Sequence, residues 1–560
     1  MIKKRIRHIQ RYRDIVYAFT KYGFGYVMKE LGLLDLLAVP KRIFVEGNET
    51  IHTRTTGERI RMFLEELGPT FVKIGQIAST RPDIFPPEVI HELVKLQDRV
   101  SLFTFEDVKR IIEEELAEPL ENSFAEFCEV PLAAASIGQV HTAILQTGER
   151  VAVKIQRPNI RNVIETDLEI LQDLVRLAEN RIDWVERYQI RDVVDEFAKS
   201  LLEELDFNNE GRNSEKIAKQ FKNDSTIVIP KIYWDYTTSK ILTMEFIEGT
   251  KLTEIETLEQ DGYDCKVLGE RVVNAIFQQI LIAGFFHGDP HPGNILALPG
   301  NVIAFMDFGI VGRLTTEMKS HVASFVIALM RQNTDEVVRA ISRMGLVPDN
   351  VNRKQLRSDV EQLREKYSSV PFSEMSLGEA VTDLFSVAYR HRIQIPTDLT
   401  ILGKTLLTIE GFVKKLDPEL SIIKVAEPFG RQLLMERMHP KYVADKVWSQ
   451  FNEYEEILEE LPETVKDFTS VMKKGKMRIE ITTPELEIFL KKINKISNRL
   501  SFSIVLLSLS IILVGLIIGT TIAGHPSILL TKFPAVEIGF GIATVVVLWL
   551  LYSIIKTGRF

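Results

Sequence analysis

Residues 285–309 read FFHGDPHPGNILALPGNVIAFMDFG and carry three polar side chains at the ends of apolar runs. Asp289 and Asn294 form a D-x-x-x-x-N step, and the apolar run VIAFM leads into Asp307. Carboxylate and amide oxygens are hard ligands that suit Mg²⁺, which keeps water and nucleotide phosphate in its other positions. The spacing therefore predicts that Asn294 and Asp307 hold Mg²⁺ and that Asp289 orients or deprotonates an attacking hydroxyl.

A second stretch, AAASIGQV at 133–140, predicts the loop over the nucleotide phosphates. Relative to the phosphate-loop pattern G-x-G-x-x-G-x-V, the first two glycines have become Ala133 and Ala135, while Gly138 is kept. Alanine retains the backbone N–H but loses the freedom of glycine at positive φ. We expect a stiffer loop that still binds ATP with an altered nucleotide preference. The predicted nucleotide contacts here are Ala133, Ala134, Ala135, Ser136, Ile137, Gly138, Gln139 and Val140.

Two more segments complete the predicted nucleotide site. Lys154 ends the apolar run VAVK, where its ammonium would neutralise the α- and β-phosphates while a helix carboxylate holds it. The segment MEFI closes a later strand, where the backbone of Glu245 and Ile247 would pair with adenine. Each motif alone also occurs in ordinary chains, but independent accidents rarely preserve both order and spacing. The ordered set predicts an α+β, bilobal protein-kinase-like fold.

Local patterns agree with two lobes and a helical extension. Helical periodicity dominates 1–120, strand-like runs cover about 150–156, 227–232 and 240–246, and an amphipathic helix covers about 190–205. The region from 254 to about 467 is predicted to be mostly helical, and no chemistry is assigned to residues from about 315 to 467. The predicted domains are a helical extension at 1–120, an N-lobe at 121–250 and a helical C-lobe at 251–485.

Two departures from protein kinases point away from a protein substrate. Gly288 stands where protein kinases have an arginine after the catalytic-loop histidine, so control through a phosphorylated activation loop is not expected. After Gly309 the chain soon enters a helix without an A-P-E segment, so the platform for a peptide substrate is absent from the pattern. A small or lipidic substrate, or ATP hydrolysis itself, fits better.

The segment 490–560 predicts a transmembrane hairpin. The uncharged run LSFSIVLLSLSIILVGLIIGTTI covers 500–522, and a second apolar run covers 538–555. At about 1.5 Å per residue, the first run is long enough for a helix across a hydrocarbon core of about 30 Å. Basic residues cluster outside the pair of spans, with Lys532 alone between them, which places the soluble body in the cytoplasm. A G-x-x-x-G step at 515–519 would seat the two helices together or two copies in a homodimer, or it reflects the ordinary frequency of glycine in membrane helices.

Composition and the N-terminal residues restrict the possible partners and location of the protein less strongly. The net charge of −8 argues against nucleic acid as a partner, and two distant cysteines fit a reduced interior. The start, MIKKRIRHIQRYRDIVYAF, has no secretory apolar core. It is basic and amphipathic, so either it lies on an anionic membrane surface or it is a helix with a solvated basic face.

Several further segments, taken with these motifs, resemble the UbiB/AarF family of atypical kinases. They are GPTFVKIGQIASTRPDIFP, PLAAASIGQVHTA, VAVKIQRP, EELDFNNEGRN and FHGDPHPGNIL. The resemblance covers roughly 67–312, and the paired C-terminal spans look like the bacterial UbiB arrangement. It implies that Lys73 and Gln76, in KIGQ, act in catalysis on an extension that folds across the site where a peptide would enter. It also implies a nucleotide-site role for Glu204 and Glu210, leaving open which pairs with Lys154 and which with Lys73.

The resemblance implies a membrane-anchored, kinase-like ATPase that uses ATP and Mg²⁺ to support the biosynthesis of ubiquinone or a related isoprenoid quinone. Its partners would be a membrane lipid or isoprenoid quinone precursor and enzymes of quinone biosynthesis, at the bacterial inner membrane. One alternative is a small-molecule or lipid kinase with a prenylated hydroxyl substrate. Another is a non-catalytic, nucleotide-sensing scaffold, against which stands the retention of Lys154, Asp289, Asn294 and Asp307.

Overall fold

The structure is a computed structural model of the 560-residue chain. The chain divides into two compact units, Met1–Ala444 and Asp445–Phe560. The described residues are 2–26, 53–96, 102–135, 137–179, 181–182, 190–330, 334–344, 351–368 and 376–429, with isolated positions between 504 and 541.

Helices and short strands alternate along the first unit. The helices are α1 (Ile2–Lys21), α2 (Thr56–Leu67), α3 (Pro69–Ala78), α4 (Pro87–Leu93), α5 (Phe105–Leu116), α6 (Leu120–Ser123), α7 (Ile160–Glu179), α8 (Ile190–Glu204), α9 (Phe207–Ala218), α10 (Ile255–Gln260), α11 (Cys265–Phe277), α12 (Thr316–Met330), α13 (Thr334–Met344), α14 (Arg353–Ser368), α15 (Leu377–His391) and α16 (Thr397–Leu416). The strands are β1 (Phe124–Phe127), β2 (Ala133–Ala135), β3 (Gly138–Leu145), β4 (Arg150–Gln156), β5 (Ile227–Val228), β6 (Ile241–Glu245), β7 (Thr250–Lys251), β8 (Phe285–His287), β9 (Ile295–Leu298), β10 (Val302–Phe305) and β11 (Val311–Arg313).

A five-stranded antiparallel sheet forms the N-lobe, in the order β1-β3-β4-β6 with β2 paired to β3. Side chains alternate between the two faces of a strand. Val151, Val153 and Ile155 of β4 are fully buried in a cluster with α5. Ala152 packs on the opposite face with residues of α8 and the start of α9. This alternation turns Lys154 toward α9.

Gly138 lies where β3 leaves no room for a side chain. A Cβ at this position would lie 2.4 Å from the Ile155 carbonyl oxygen of β4. The need for glycine at this position therefore arises from the contact between two strands.

We expect Gly138→Ala to lower the thermal unfolding midpoint, because relieving this overlap costs about 1–3 kcal/mol by shifting the paired strands. Gly411→Ala on α16 is the matched control, since a Cβ there meets no atom within 4 Å. Alanine in a helix is favoured over glycine by about 0.5–1 kcal/mol, so the control should be neutral or stabilising. Equal midpoints for Gly138→Ala and wild type would show that the strands yield freely.

The C-lobe packs helices around two small sheets. The four-stranded sheet has the order β5-β10-β9-β7, and β8 pairs with β11. Phe286, Ile295 and Phe305 are fully buried in one cluster with side chains of α11 and α16. The apolar run VIAFM contains β10, whereas β7, β8, β9 and β11 were missed because strands of two to four residues leave little periodicity to detect. The strand predicted at 227–232 is similarly short, covering only Ile227–Val228.

The helical extension is part of the folded body. Ile15 and Val16 of α1 are fully buried in a cluster with α2, α3, α4 and α7. Arg11 donates from Nε to Asp167 Oδ1 at 2.6 Å, so even a basic side chain of α1 is used within the protein. The apolar face of this helix therefore packs on protein, which favours the interpretation as a helix with a solvated basic face.

No helix in the described ranges is long and apolar enough to cross a membrane. Most residues of the predicted spans at 500–522 and 538–555 lie outside the described residues, so the hairpin stays a prediction. The same holds for the part of the predicted C-lobe between 430 and 485.

Candidate functional site

Lys154 of β4 is held by a carboxylate of α9. Its Nζ lies 2.8 Å from Glu210 Oε2 and 3.0 Å from Oε1, and these two side chains are only 11% and 8% exposed. Helix α9 starts after Asp206, whose Oδ1 accepts the Asn208 N–H at 3.1 Å and caps the first turn. The cap fixes where α9 begins, and Glu210 then follows one turn later on the face toward β4.

Asp307 lies in the same cleft as Lys154. Its backbone has φ of 55°, and its Oδ1 accepts the Gly309 N–H at 3.2 Å. The Lys154 ammonium holds the pKa of Asp307 below its usual value despite burial, and Lys73 also lowers it. Burial alone would lower the pKa of Lys154, but the carboxylates of Glu210 and Asp307 outweigh burial and raise it. The cleft therefore holds a charged ammonium beside an ionised carboxylate.

Asn294 and Asp307 lie at the same end of two paired strands, because Asn294 precedes β9 and Asp307 follows β10. It ends a 3₁₀ turn, Pro292–Asn294, and its backbone carbonyl accepts the Met306 N–H at 2.8 Å. Within the described ranges, no group of three or more His, Cys, Asp or Glu side chains could hold a metal ion. Asp307 carries a carboxylate and Asn294 a side-chain amide oxygen, and both donor types suit a Mg²⁺ that takes its remaining ligands from water and nucleotide phosphates.

The residues around Asp307 connect both lobes. Asn213 of α9 donates from Nδ2 to the Phe308 carbonyl at 3.1 Å, and the Phe308 ring is buried 5.3 Å from the His287 ring. Burial lowers the pKa of His287, so this imidazole is neutral. Its Nδ1 accepts the Asp289 N–H at 3.3 Å. One chain of contacts therefore runs from the helix that holds Lys154 to the predicted catalytic loop.

Asp289 pairs with a residue that the sequence analysis did not identify. Lys404 of α16 donates from Nζ to Asp289 Oδ2 at 3.3 Å, across 115 positions of sequence. We assigned no chemistry to this region of the chain because a single lysine in an amphipathic helix carries no motif. A possible signal was the position of Lys404 between apolar residues in ILGKTLL, where a charged side chain needs a partner.

The extension contributes α3, which carries KIGQ, to the cleft. Lys73 Nζ lies 2.6 Å from Glu204 Oε1, and the two side chains are 13% and 18% exposed. This contact resolves the question left open by the sequence: Glu204 pairs with Lys73 and Glu210 pairs with Lys154. Gln76 donates from Nε2 to the Leu96 carbonyl at 3.3 Å, within the extension.

Apolar residues of α3 also pack against the N-lobe sheet on its cleft side. Ile74 and Ile77 contact the cluster that includes Leu242 and Met244 of β6, and Met306, next to Asp307, packs on the same cluster. Helix α3 thus covers the cleft side of the N-lobe sheet. This placement agrees with an extension that folds across the site.

A buried ion pair anchors the segment that follows α3. Arg81 binds Asp83 through Nε at 3.0 Å and Nη2 at 2.9 Å, with side chains 5% and 0% exposed. Arg81 also reaches Glu196 of α8 at 2.7 Å, and Asp83 Oδ2 accepts the Ile395 N–H at 3.2 Å. Thr397, at the start of α16, hydrogen-bonds to Glu196. The segment therefore joins α8 to the residues that precede α16.

The predicted phosphate loop is a β-hairpin. Strand β2 pairs with β3 from Ala133 opposite Val140 to Ala135 opposite Gly138. Ala133 and Ala134 are exposed, and Ser136 lies outside the described residues. Ile137 is 3% exposed and packs in the core beneath the sheet, so its side chain is not at the loop surface.

Gln139 and Val140 of the loop face opposite sides of the sheet. Val140 pairs with Lys154, and Gln139 pairs with Ile155, so only Val140 shares a face with the lysine. The Gln139 side chain is 1% exposed and accepts the Phe103 N–H at 3.3 Å. The structure therefore does not bring the Gln139 side chain to the predicted nucleotide contacts.

The segment after β6 has the hydrogen-bonding pattern expected of a hinge. The Glu245 N–H donates to the Lys231 carbonyl at 2.8 Å, and the Phe246 N–H to the Arg150 carbonyl at 3.1 Å. The Ile247 N–H makes no backbone hydrogen bond within the described part of the chain. The pairing of this segment with adenine therefore stays a prediction.

Three family models match the chain. The ABC1 atypical kinase-like domain matches residues 95–341, the UbiB helical domain matches 360–421 and the ABC1/UbiB kinase-like C-terminal domain matches 484–556. The first model spans the β-hairpin loop, Lys154, Glu210 and both predicted metal ligands. Lys404 falls within the second.

Relatives match most of the chain. A "Probable protein kinase UbiB" from Vibrio parahaemolyticus is 33% identical over 84% of this chain and 86% of its own length. An uncharacterized protein from the hydrogenase 1 5′ region of Clostridium pasteurianum is 32% identical over 98% of this chain and 99% of its own length. An uncharacterized Synechocystis protein is 33% identical over 78% of this chain and 76% of its own length.

One solved structure, described as an erythromycin complex from Mycobacterium tuberculosis, is also similar. It shares 22% identity and has a TM-score of 0.40, covering 62% of this chain and 92% of that chain. At this TM-score the likeness carries no argument about function.

Proposed function

The chain belongs to the ABC1/UbiB family of atypical kinase-like proteins, and from this premise we propose that it binds Mg-ATP between its lobes and turns it over. We propose further that this turnover supports the biosynthesis of ubiquinone or a related isoprenoid quinone at a membrane. The acceptor of the γ-phosphoryl group would be water or a small lipidic hydroxyl.

One observation carries the proposal: Glu210 of α9 holds the Lys154 ammonium at 2.8 Å, and the charge of this lysine acts on the carboxyl group of Asp307 in the D-F-G segment. Apolar residues would stabilise a core at least as well as a buried ion pair, because burying charges is costly. Charged groups inside this cleft therefore indicate a binding role. Lys154 would bind the phosphates and Asp307 with Asn294 would hold the metal. Mg²⁺, when bound, neutralises the charge that develops on the phosphoryl oxygens.

The absence of a peptide platform supports a small acceptor or water. Helix α12 begins at Thr316, only a few residues after β11, so the region after Gly309 passes directly from strand to helix. Helix α3, with Lys73 paired to Glu204, covers the cleft from the other side. A protein substrate would have to displace this helix.

Membrane attachment rests on the apolar C-terminal segment. Among the described positions there, Ile504, Leu507, Ile511, Val514 and Ile518 are each 50–63% exposed. Exposed apolar side chains at helical spacing suit a lipid environment better than water. Such an anchor would attach the chain to a membrane, where lipid-soluble phenolic precursors are dissolved.

The test is Mg²⁺-dependent ATP turnover by the full-length protein in detergent, with and without phenolic lipid mimics. We expect ADP release that requires Mg²⁺ and rises with the phenolic compound. A phosphorylated phenol among the products would assign the chain as a lipid or small-molecule kinase instead. Nucleotide binding without any turnover would favour a sensing scaffold, and no Mg-nucleotide binding at all would refute the proposal.

A further inference from the structure

We propose that Lys404 is a positioning residue of this site, which holds the Asp289 carboxylate in place from α16. The inference rests on the proposed function, in which Asp289 orients or deprotonates the attacking hydroxyl. It adds to the nucleotide site a residue from the helical region that follows the kinase-like motifs.

The contact is well placed for this role. Lys404 Nζ lies 3.3 Å from Asp289 Oδ2, and the two side chains are 25% and 35% exposed. The ion pair is thus partly shielded from water yet open to the cleft, where screening is weaker than at a fully exposed surface. Because Lys404 binds one carboxylate oxygen, it restricts rotation of the carboxyl group and leaves Oδ1 for the attacking hydroxyl.

Both neighbours of Lys404 in α16 are packed, Thr405 against the catalytic loop and Gly403 against Phe385 of α15. The next residue, Thr405, donates from Oγ1 to the Gly288 carbonyl at 3.1 Å and lies 3.3 Å from the His287 carbonyl. The preceding residue, Gly403, packs so closely that a Cβ would lie 2.4 Å from Phe385 Cζ. With both neighbours held, the backbone of Lys404 has a set position relative to Asp289.

The same packing explains why Gly288 stands where protein kinases have arginine. A Cβ at Gly288 would lie 2.8 Å from Ile401 Cγ2 of α16 and 2.8 Å from Ile310 Cγ2. A side chain here would push α16 away from the loop. The loss of the arginine and the approach of the lysine are therefore two results of one packing arrangement.

The other ammonium groups of the cleft are committed elsewhere. Lys154 pairs with Glu210 at 2.8 Å and Lys73 with Glu204 at 2.6 Å. In the part of the chain that the structure describes, the ion pair of Asp289 is made by Lys404. A carboxylate beside a triphosphate is repelled by its charge, and an adjacent cation offsets that repulsion as negative charge spreads over the transferring group.

The experiment compares Lys404→Met with wild type in the full-length protein. Methionine keeps the length and apolar contacts of the stem and removes the charge. We expect kcat for ATP turnover to fall about 30- to 100-fold, as when one preorganised charged group is removed. The dissociation constant of Mg-ADP should change less than about twofold, because Lys404 contacts Asp289 and has no assigned contact with nucleotide. Lys404→Arg, which keeps the charge, should recover most of kcat.

A matched control and a double variant separate positioning from folding. Lys415→Met alters an exposed lysine of the same helix and should leave kcat unchanged. In an Asp289→Asn background, adding Lys404→Met should cost less than about threefold, because residues that act as a unit are not additive. A structural role would lower kcat by the same factor in both backgrounds.

The outcomes distinguish this inference from the proposed function. Full turnover by Lys404→Met, or a loss of equal size with and without Asp289→Asn, would overturn the role of Lys404 alone. A wild-type protein without Mg²⁺-dependent turnover would overturn the proposed function and this inference with it.

Discussion

The Asp307→Asn variant is expected to lose Mg²⁺-dependent ATP binding, with the dissociation constant rising by about 100-fold or more because a metal ligand and its charge are removed. The fold should survive. Asparagine keeps the oxygen that accepts the Gly309 N–H, and it is one of the residues that tolerate the φ of 55° found at Asp307. Calorimetric titration with ATP in the presence and absence of Mg²⁺ measures the change.

The control for Asp307→Asn is Asp264→Asn. Asp264 is exposed and caps α11 by accepting the Lys266 N–H at 3.0 Å, a role that asparagine also performs. We expect this variant to bind Mg-ATP like wild type. Unchanged Mg-ATP affinity in Asp307→Asn would contradict the metal site, since no other described carboxylate has been given that role.

The second large effect is expected on stability. Glu210→Ala should lower the free energy of unfolding by about 3 kcal/mol, because it leaves the Lys154 ammonium buried without the carboxylate that binds it. The side chains are 11% and 8% exposed, so water cannot replace the lost partner. The nearby Asp307 limits the loss by keeping some negative charge beside the ammonium. Denaturant or thermal unfolding of the first unit, followed in the full-length protein, gives the measurement.

A double variant separates the contribution of this ion pair to stability from its contribution to Mg-ATP binding. Replacing both residues, as Lys154→Met with Glu210→Leu, removes the unpaired charge and should restore most of the stability, since apolar pairs often substitute for buried ion pairs. The same variant should bind Mg-ATP poorly, because the phosphate-binding ammonium is gone. If the double variant stays as unstable as Glu210→Ala, the loss comes from packing and not from an unpaired charge.

Much of the site was accessible to sequence reasoning because its motifs are local. The strand at Arg150–Gln156 was predicted at its observed limits, and the helix predicted at about 190–205 is observed at Ile190–Glu204. The family models and relatives confirm the kinase-like family that the motifs indicate. Periodicity and motif spacing are carried by neighbouring residues, so they are visible in one sequence.

What the sequence left undecided depended on the direction of side chains. Gln139 belongs to the loop motif, yet strand pairing turns it toward Phe103 and away from Lys154. Gly138 appeared to be a phosphate-loop glycine, yet the neighbour that excludes a side chain is the Ile155 carbonyl. Register and the identity of packing neighbours are set by contacts between distant segments, which spacing alone does not contain.

The amino-acid sequence by itself determined the kinase-like family and which residue types could bind a phosphate or a metal, because these follow from local chemistry and order. Only the tertiary structure decided that Lys154 pairs with Glu210, that Lys73 pairs with Glu204, and that Lys404 reaches Asp289 across 115 positions. The physical reason is that an ion pair needs two groups within a few ångströms. That distance is set by how helices pack on the sheet and not by their separation along the chain.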